Sequence, residues 1–265
     1  MSNKKIKYYK KYQANGNDFI IFSDELDKNF LSKKIEFPEN EIKKLCNRHF
    51  GIGADGFIIL RKHKDFDFYF EFYNSDGSRA SMCGNGARAA VAEADSKLKK
   101  TEYNFIADDG IHHAKILKNK QISISIKNVN DYKIFEDGYF IDTGVPHFVI
   151  FVNNISELNV NELGKQISNE RRFIPERTNV NFVEKQNENY YISTFERGVE
   201  AETLSCGTGT VAAAIAINLK ENDNTKNYHI ISKGGSLFVD FEKNDNSFIN
   251  IYLSGAVTKV FDTKL

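Results

Sequence analysis

The sequence predicts an α+β protein in which strands wrap around central helices, and it predicts that arrangement twice. Two observations lead there. Short apolar and aromatic runs bounded by turn residues dominate the chain, and the two clearest helices each follow a cysteine: GNGARAAVAEADSKLKK after Cys83 and GTGTVAAAIAINLK after Cys206. The chain also matches itself at a shift of 123 residues, the spacing from Cys83 to Cys206. At that shift Phe50 meets Phe173, Phe72 meets Phe195, Gly84 meets Gly207, Gly86 meets Gly209 and Ala90 meets Ala213. The stretch DFYFEFYN falls on YYISTFER, GFIIL falls on NVNFV, and a shift of 129 residues lays DFIIF on HFVIF. One repeat near half the chain length is a duplicated domain, since solenoid periods are far shorter. The expected domains are 1–130, carrying Cys83, and 131–265, carrying Cys206, with the final ten or so residues packing back on the first domain.

The elements follow from local pattern. Asp18 to Phe22, Gly56 to Leu60, Phe66 to Tyr73, Ile122 to Ile126, His147 to Val152, Tyr190 to Phe195, Leu237 to Phe241 and Phe248 to Leu253 read as strands. Pro38-Glu39-Asn40-Glu41 starts a helix running to Asn47, and Asn154 or Ser156 caps another that reaches about Ser168. The helix after Cys206 is apolar nearly all round, the pattern of a helix enclosed by sheet.

Bulk properties narrow the function classes. Lys+Arg and Asp+Glu are both 36, so no net charge biases the chain toward nucleic acid or anionic lipid. The pairs Lys4-Lys5, Lys33-Lys34, Lys43-Lys44 and Lys99-Lys100 lie among acids and read as solvated faces. No apolar run reaches the roughly 18 residues of a membrane span, and the opening MSNKKIKYYKKYQ lacks the apolar core of a secretion signal. Three cysteines, an odd number, argue against a disulfide framework. The expectation is a cytoplasmic soluble protein acting on a small molecule, with neither nucleic acid nor membrane as partner.

The two cysteine motifs carry the chemistry. A thiol at a helix N-terminus sits where unsatisfied N–H groups and the macrodipole favour an anion, which raises its thiolate fraction. Glycines beside it let backbone N–H groups close on an anionic ligand. Two such sites, on similar halves flanking one cleft, would put thiols on opposite faces of one bound molecule. Inverting a stereocentre without a cofactor needs that: one group removes an α-proton and another returns one. No metal is expected, because no two cysteines stand at ligand spacing and only His112 and His113 are adjacent. Cys46, with no flanking glycine, reads as a packing residue at a helix end.

Gly51-Ile52-Gly53-Ala54-Asp55-Gly56 spells G-x-G-x-x-G, but a strand-like FIILR follows it where a dinucleotide site needs a helix. It reads as a tight turn into a strand. Asn17, Asn74 and Asn179 each stand beside a turn and a strand, suited either to turn structure or to the ammonium and carboxylate of an amino acid. Glu196-Arg197 reads as a surface ion pair or as a carboxylate and a guanidinium for a zwitterion. His147 reads as a half-buried histidine or as a tuner of a nearby thiol.

From Asn15 to about Val260 the sequence resembles diaminopimelate epimerases, through GNDFIIF, RHFGIGADG, FYNSDGSRASMCGNGAR, GVPHFV, RTNVNFVE, ERGVEAETLSCGTGT and SKGGSLFV in that order. The resemblance implies two pseudo-symmetric domains, each a curved sheet or barrel around a central hydrophobic helix, with the substrate at their interface. It implies cofactor-independent conversion of LL- to meso-diaminopimelate, a precursor of lysine and peptidoglycan, by a protein that can form a homodimer. Cys206 would take the proton and Cys83 return it. Gly84, Asn85, Gly207 and Thr208 would hold the reacting carboxylate; Asn17, Asn74, Asn179, Glu196 and Arg197 would bind the remaining polar groups, with Arg197 on the far carboxylate. His147 and Glu196 would influence the cysteine pKa values. Val145 stands where the family often has Asn, Gly56 where some members have Gln, and Ala89 where a Cys commonly follows GNGAR. The alternatives are a racemase of another amino acid on the same fold and a non-catalytic amino-acid-binding protein. Thiols close enough to flank one carbon are also close enough to oxidise to a disulfide.

Overall fold

The computed structural model describes residues 7–23, 26, 35–222 and 225–265. Lys4-Lys5 and Lys33-Lys34 fall outside the described residues. The chain divides into two compact units, Met1–Ile124 with Ala256–Leu265, and Ser125–Gly255.

The first unit opens with β1 (Tyr8–Ala14) and β2 (Asn17–Phe22), an antiparallel hairpin. Its two-residue turn is Asn15-Gly16, both at positive φ (52° and 82°), the geometry that Asn-Gly adopts at least cost. Helix α1 (Glu39–Cys46) then carries the chain to β3 (Gly56–Arg61), parallel to β2, as a parallel pair requires a crossover. The G-x-G-x-x-G stretch is the turn into β3. β4 (Phe68–Asn74) returns antiparallel and leads through β5 (Arg79–Ala80) to α2 (Gly84–Leu98). β6 (Glu102–Ala107) lies parallel to β4, followed by the antiparallel β7 (Gly110–Ile116) and β8 (Ile122–Ser125).

The second unit repeats this plan. β9 (Tyr132–Phe135), β10 (Gly138–Asp142) and β11 (Pro146–Phe151) form an antiparallel run, and α3 (Val160–Ser168) crosses to β12 (Asn179–Gln186), parallel to β11. β13 (Asn189–Glu196) and β14 (Ala201–Thr203) lead to α4 (Gly207–Glu221). β15 (Asn227–Ser232), parallel to β13, continues into the antiparallel β16 (Gly235–Asn244) and β17 (Ser247–Gly255). The final strand, β18 (Thr258–Lys264), belongs to the first unit and pairs with β1, the position that β9 takes beside β10. Helices α2 and α4 coincide at the 123-residue shift, and β2 and β11 at the 129-residue shift.

Strands β3, β12 and β13 carry a helix on each face, which explains their near-continuous burial. Side chains alternate between faces with a period of two. In the first unit Ile20, Phe22, Phe57 and Ile59 join Ile42, Leu45 and Cys46 of α1 in one cluster. The alternate positions Phe19 and Ile58 pack toward α2, where both approach Gly86. In the second unit Phe148, Val180, Phe182 and Phe195 cluster with Val160 and Ile167 of α3. On the other face β10 to β13 and β15 to β17 surround α4, whose residues Val211 to Ile217 have essentially no exposure. Burial of Val211, Ile215 and Ile217 contributes about 1.5–3 kcal/mol each.

Two readings need correction. The helix expected from Asn154 or Ser156 begins at Val160, and its cap is Asn159, whose Oδ1 accepts the Glu162 N–H at 3.3 Å. Asn154 instead takes a left-handed conformation before a 3₁₀ turn, Ile155–Glu157. The Glu184 carboxylate accepts the N–H groups of Asn154 and Ile155 at 3.1 and 3.0 Å and so holds the chain out of an α-helix. Strands β1, β6, β7, β9, β10, β12, β15 and β18 were not read from the pattern, because polar residues interrupt or shorten their apolar runs, nor were β5 and β14, of two and three residues.

Close helix-to-sheet approach in the second unit rests on Gly164. A Cβ there would lie 2.3 Å from the Phe195 Cβ, an atom that no rotamer change can move. Gly164→Ala is expected to lift α3 from β13 and lower the unfolding free energy by about 1–3 kcal/mol, read from urea denaturation.

Candidate active site

In the first unit, Cys83 is the residue immediately before α2, in extended conformation, and its Sγ accepts the Gly86 N–H at 3.4 Å. The hairpin turn brings β2 alongside, so the Asn17 Oδ1 lies 3.9 Å from Cys83 Sγ and 3.4 Å from Asn85 Nδ2. Asn17, Cys83, Gly84 and Asn85 therefore form one group.

Asn17 is aimed by a residue that the turn into β3 supplies. Its Nδ2 donates to Asp55 Oδ2 at 2.7 Å, and a carboxylate accepts only, so the Asn17 oxygen must face the thiol. Asp55 is itself held by Arg48, which also bonds Asp18 at 2.7 and 3.0 Å. With Lys11 at 2.6 Å, these cations hold the Asp18 carboxyl well below the usual carboxylate range against the opposing effect of its burial. The G-x-G-x-x-G stretch thus positions Asn17 through Asp55.

Behind Asn85 stands Arg88, fully buried, whose Nη2 donates to Asn85 Oδ1 at 2.7 Å and to Asn15 Oδ1 at 2.9 Å. A guanidinium donates only, so it turns the Asn85 oxygen inward and the NH₂ outward toward Asn17. Burial pushes Arg88 down to about 10, and the nearby Cys83 works in the opposite direction; the group remains charged at neutral pH. Sequence reading did not single out Arg88 or Asp55. A lone arginine in a helix of small residues was the available signal for the first.

Asn74 is placed differently. Its Nδ2 donates to Ser78 Oγ at 3.0 Å and its backbone N–H to the Ser78 carbonyl, closing the turn between β4 and β5. These bonds hold the turn itself. Gly56 is required by packing: a Cβ there would stand 2.5 Å from the Phe72 ring.

In the second unit, Cys206 is the residue immediately before α4, and it is buried. Its side chain makes no capping bond to the helix; its Sγ lies 3.5 Å from Thr208 Oγ1. The Thr208 hydroxyl in turn contacts His147 Nε2 at 3.0 Å, and His147 Nδ1 meets Asn181 Nδ2 at 3.1 Å. His147 is fully buried at the inner face of β11, not half-buried as read from sequence. Burial, reinforced by the Arg197 charge, pushes it down to about 3, so it is neutral at physiological pH.

Asn179 accepts the Arg197 N–H on its Oδ1 at 2.9 Å, which fixes the turn after β13. The Arg197 Nη1 donates to the Glu176 carbonyl and, at 3.2 Å, to the Arg177 carbonyl. Glu196 accepts the Thr203 hydroxyl at 2.5 Å. By helix geometry the first N–H groups of α2 and α4, on Gly84, Asn85, Gly207 and Thr208, have no acceptor within their own helix. An anionic ligand suits both positions.

The two motifs differ at their second glycine. A Cβ on Gly86 would meet its nearest neighbours at 3.4 Å, whereas one on Gly209 would lie 2.4 Å from Asn181 Oδ1 and 3.3 Å from His147 Cε1. All three cysteines are free thiols. Cys46 packs in the α1 cluster, where burial pushes its thiol up to about 12. Among the described residues no cluster of three or more His, Cys, Asp or Glu has the arrangement of a metal site, and no helix is long and apolar enough to cross a membrane.

Two repeated sheet-and-helix units, each with a cysteine heading its buried helix, share their fold with solved racemase- and epimerase-like structures. A PhzF-family phenazine biosynthesis protein from Bacillus anthracis superposes with a TM-score of 0.75 at 14% identity, covering 98% of this chain and 99% of that one. A hydroxyproline epimerase from Agrobacterium vitis, with bound trans-4-hydroxy-L-proline, gives 0.66 at 12% identity over 100% and 94%. At these identities the likeness is one of fold. The sequence model of diaminopimelate epimerase matches residues 9–130 and again 139–260. Diaminopimelate epimerases of Flavobacterium psychrophilum and Aquifex aeolicus are 42% and 36% identical, covering 98% and 96% of this chain and 100% and 96% of their own lengths. The chain belongs to the diaminopimelate epimerase family and is an isomerase.

The glycine contrast is testable. Gly86→Ala is expected to stay within about 1 kcal/mol of the parent, since alanine is also the better helix former. Gly209→Ala is expected to cost about 1–3 kcal/mol by overpacking against Asn181 and to perturb His147. Urea denaturation of the two variants in parallel reads the difference.

Proposed function

We propose that the chain converts LL-diaminopimelate to meso-diaminopimelate without a cofactor, by acid/base chemistry at Cys206 and Cys83, in the supply of lysine and peptidoglycan precursors. The observation that carries this reading is the pair of cysteines that head buried helices, Cys83 before α2 and Cys206 before α4. The reading requires both thiols to reach one α-carbon during turnover.

In the LL to meso direction the Cys206 thiolate removes the α-proton, becoming a thiol, and the electron pair of the broken C–H bond flows into the α-carboxylate. The N–H groups of Gly84, Asn85, Gly207 and Thr208 receive that carboxylate, where their aligned dipoles are worth most as charge develops. The Cys83 thiol then gives its proton to the opposite face and is left as thiolate. The reverse direction exchanges the two roles. Asn17, Asn74 and Asn179 provide amides for the substrate's polar groups, and Glu196 provides a carboxylate for an ammonium. His147 and Glu196 set the electrostatic surroundings of the thiols. Arg197 spends Nη1 on two carbonyls, so the other edge of its guanidinium is the one that takes the distal carboxylate. Catalysis takes place in the cytoplasm.

Solvent exchange at the α-carbon, followed by ¹H NMR in deuterated water with LL-diaminopimelate, tests the reading. Cys83→Ala and Cys206→Ala are each expected to lower epimerisation by at least ~10²-fold, in the range of acid/base groups, with the circular dichroism spectrum retained. Full activity in either variant would overturn the two-thiol mechanism. Val145 stands in the turn before His147, where relatives commonly have Asn, so the same assay is run on a panel of free amino acids. Racemisation of another amino acid without diaminopimelate turnover would overturn the substrate. Arg197→Met is expected to raise KM for diaminopimelate by about 10- to 100-fold, the worth of charged hydrogen bonds to a carboxylate, and steady-state kinetics reads it.

A further inference from the structure

We infer that Asn181 is a positioning residue that selects one tautomer of His147, and that this selection turns a hydrogen-bond donor toward the sulfur of Cys206. The inference deepens the two-thiol reading and rests on it for its consequence in catalysis.

The Phe148 carbonyl can only accept, and it lies 3.4 Å from Asn181 Nδ2, so the atom facing it is the amide NH₂. The Asn181 oxygen then faces Thr194, whose hydroxyl donates to it at 3.0 Å. With its NH₂ also 3.1 Å from His147 Nδ1, Asn181 donates there, and that ring nitrogen must carry a lone pair. A buried neutral imidazole has one N–H, which is left on Nε2. Nε2–H donates to Thr208 Oγ1 at 3.0 Å. Having accepted this bond, the Thr208 hydroxyl keeps its own proton for Cys206 Sγ at 3.5 Å.

The opposite tautomer would reverse the chain. Nε2 would be an acceptor, the Thr208 proton would be drawn to it, and the sulfur would face an oxygen lone pair, which favours thiol over thiolate. Three features set the amide in place. Asn181 is fully buried among apolar neighbours on β12, its oxygen occupies the space that Gly209 leaves open, and Ile141 and Asn179 flank His147 in register on the adjoining strands. The charge that weighs on the imidazole is that of Arg197, which opposes its protonation.

The first half of the chain shows what the polar residue replaces. At the 123-residue shift Asn181 corresponds to Ile58, which packs its Cδ1 3.4 Å from the Cβ position of Gly86. Beside the Cys83 sulfur stand the Asn17 Oδ1 and the Gly86 N–H.

The test uses the whole enzyme labelled with ¹⁵N at histidine, and long-range ¹H–¹⁵N correlation spectra that report each ring's tautomer. His147 in the parent is expected as the Nε2–H form; an Nδ1–H form would overturn the inference without any variant. Asn181→Asp replaces the donor by an acceptor and is expected to move His147 to the Nδ1–H form; an unchanged tautomer in that variant would overturn it too. Thr208→Val is expected to leave the tautomer alone and raise the midpoint pH of Cys206 alkylation, resolved from Cys83 and Cys46 by peptide mapping, by about one pH unit, a tenfold change in thiolate fraction. An unchanged Cys206 midpoint would overturn the last link. These readouts need no turnover, so absent diaminopimelate exchange would defeat the functional reading while leaving the tautomer result to stand or fall separately.

Discussion

A helix enclosed by its own sheet has to begin somewhere, and where it begins its first N–H groups have no acceptor within the helix. That constraint governs both halves of this protein. The apolar surfaces of α2 and α4 hold them inside the sheets, and the residues that begin them, Gly84, Asn85 and Gly207, are buried. A small capping residue with a polarizable sulfur, glycines that let neighbours approach and asparagines on the adjoining strands are the local answers. The same arrangement suits an anion, with a thiol beside it. Stability and chemistry thus draw on one set of unsatisfied dipoles.

The two halves answer the constraint with different buried groups. Beneath α2 the polar group is a guanidinium, Arg88, which fixes Asn85 and through it meets Asn17. Beneath α4 the position equivalent to Arg88 is Val211, and the polar groups come from the sheet, through His147 and Asn181. In the first half an acceptor-only carboxylate and a donor-only guanidinium settle which way the amides point. In the second a backbone carbonyl does so. A duplicated scaffold has kept its backbone plan while the polar groups under each helix have changed places, from helix to sheet.

Much of this was legible in the sequence, for identifiable reasons. Cysteine followed by Gly-x-Gly marked both helix starts, and the all-apolar face of GTGTVAAAIAINLK announced its enclosure. Apolar strands covered on both faces, such as Gly56–Arg61, stood out as well. Strands with one lysine-rich or histidine-bearing face, such as Tyr8–Ala14 and Gly110–Ile116, did not, because no continuous run marks them. The start of α3 was misplaced because its neighbourhood offers several capping residues, and the choice fell to Glu184, thirty residues away. Around the two cysteines, Asn17, Cys83 and Asn85 in one unit and His147, Thr208 and Cys206 in the other were visible as residue types in suggestive places. Arg88 and Asn181 were not, since only the fold shows that a charged and an amide side chain have no exposure at all. A polar residue at a helix-facing position within Val180 to Val183 was the signal that strand periodicity could have supplied.

The strand Thr258–Lys264 has a consequence for how the molecule is made. The second unit is one uninterrupted stretch of chain, whereas the first borrows β18 from beyond it to cover the edge of β1. On the ribosome the half that emerges earlier therefore keeps one sheet margin unpaired until all of the later half has been translated. The cysteine-bearing half that leads the sequence is the one whose hydrogen-bonded frame closes last, and β1's open edge is what a nascent-chain chaperone would meet in the interval.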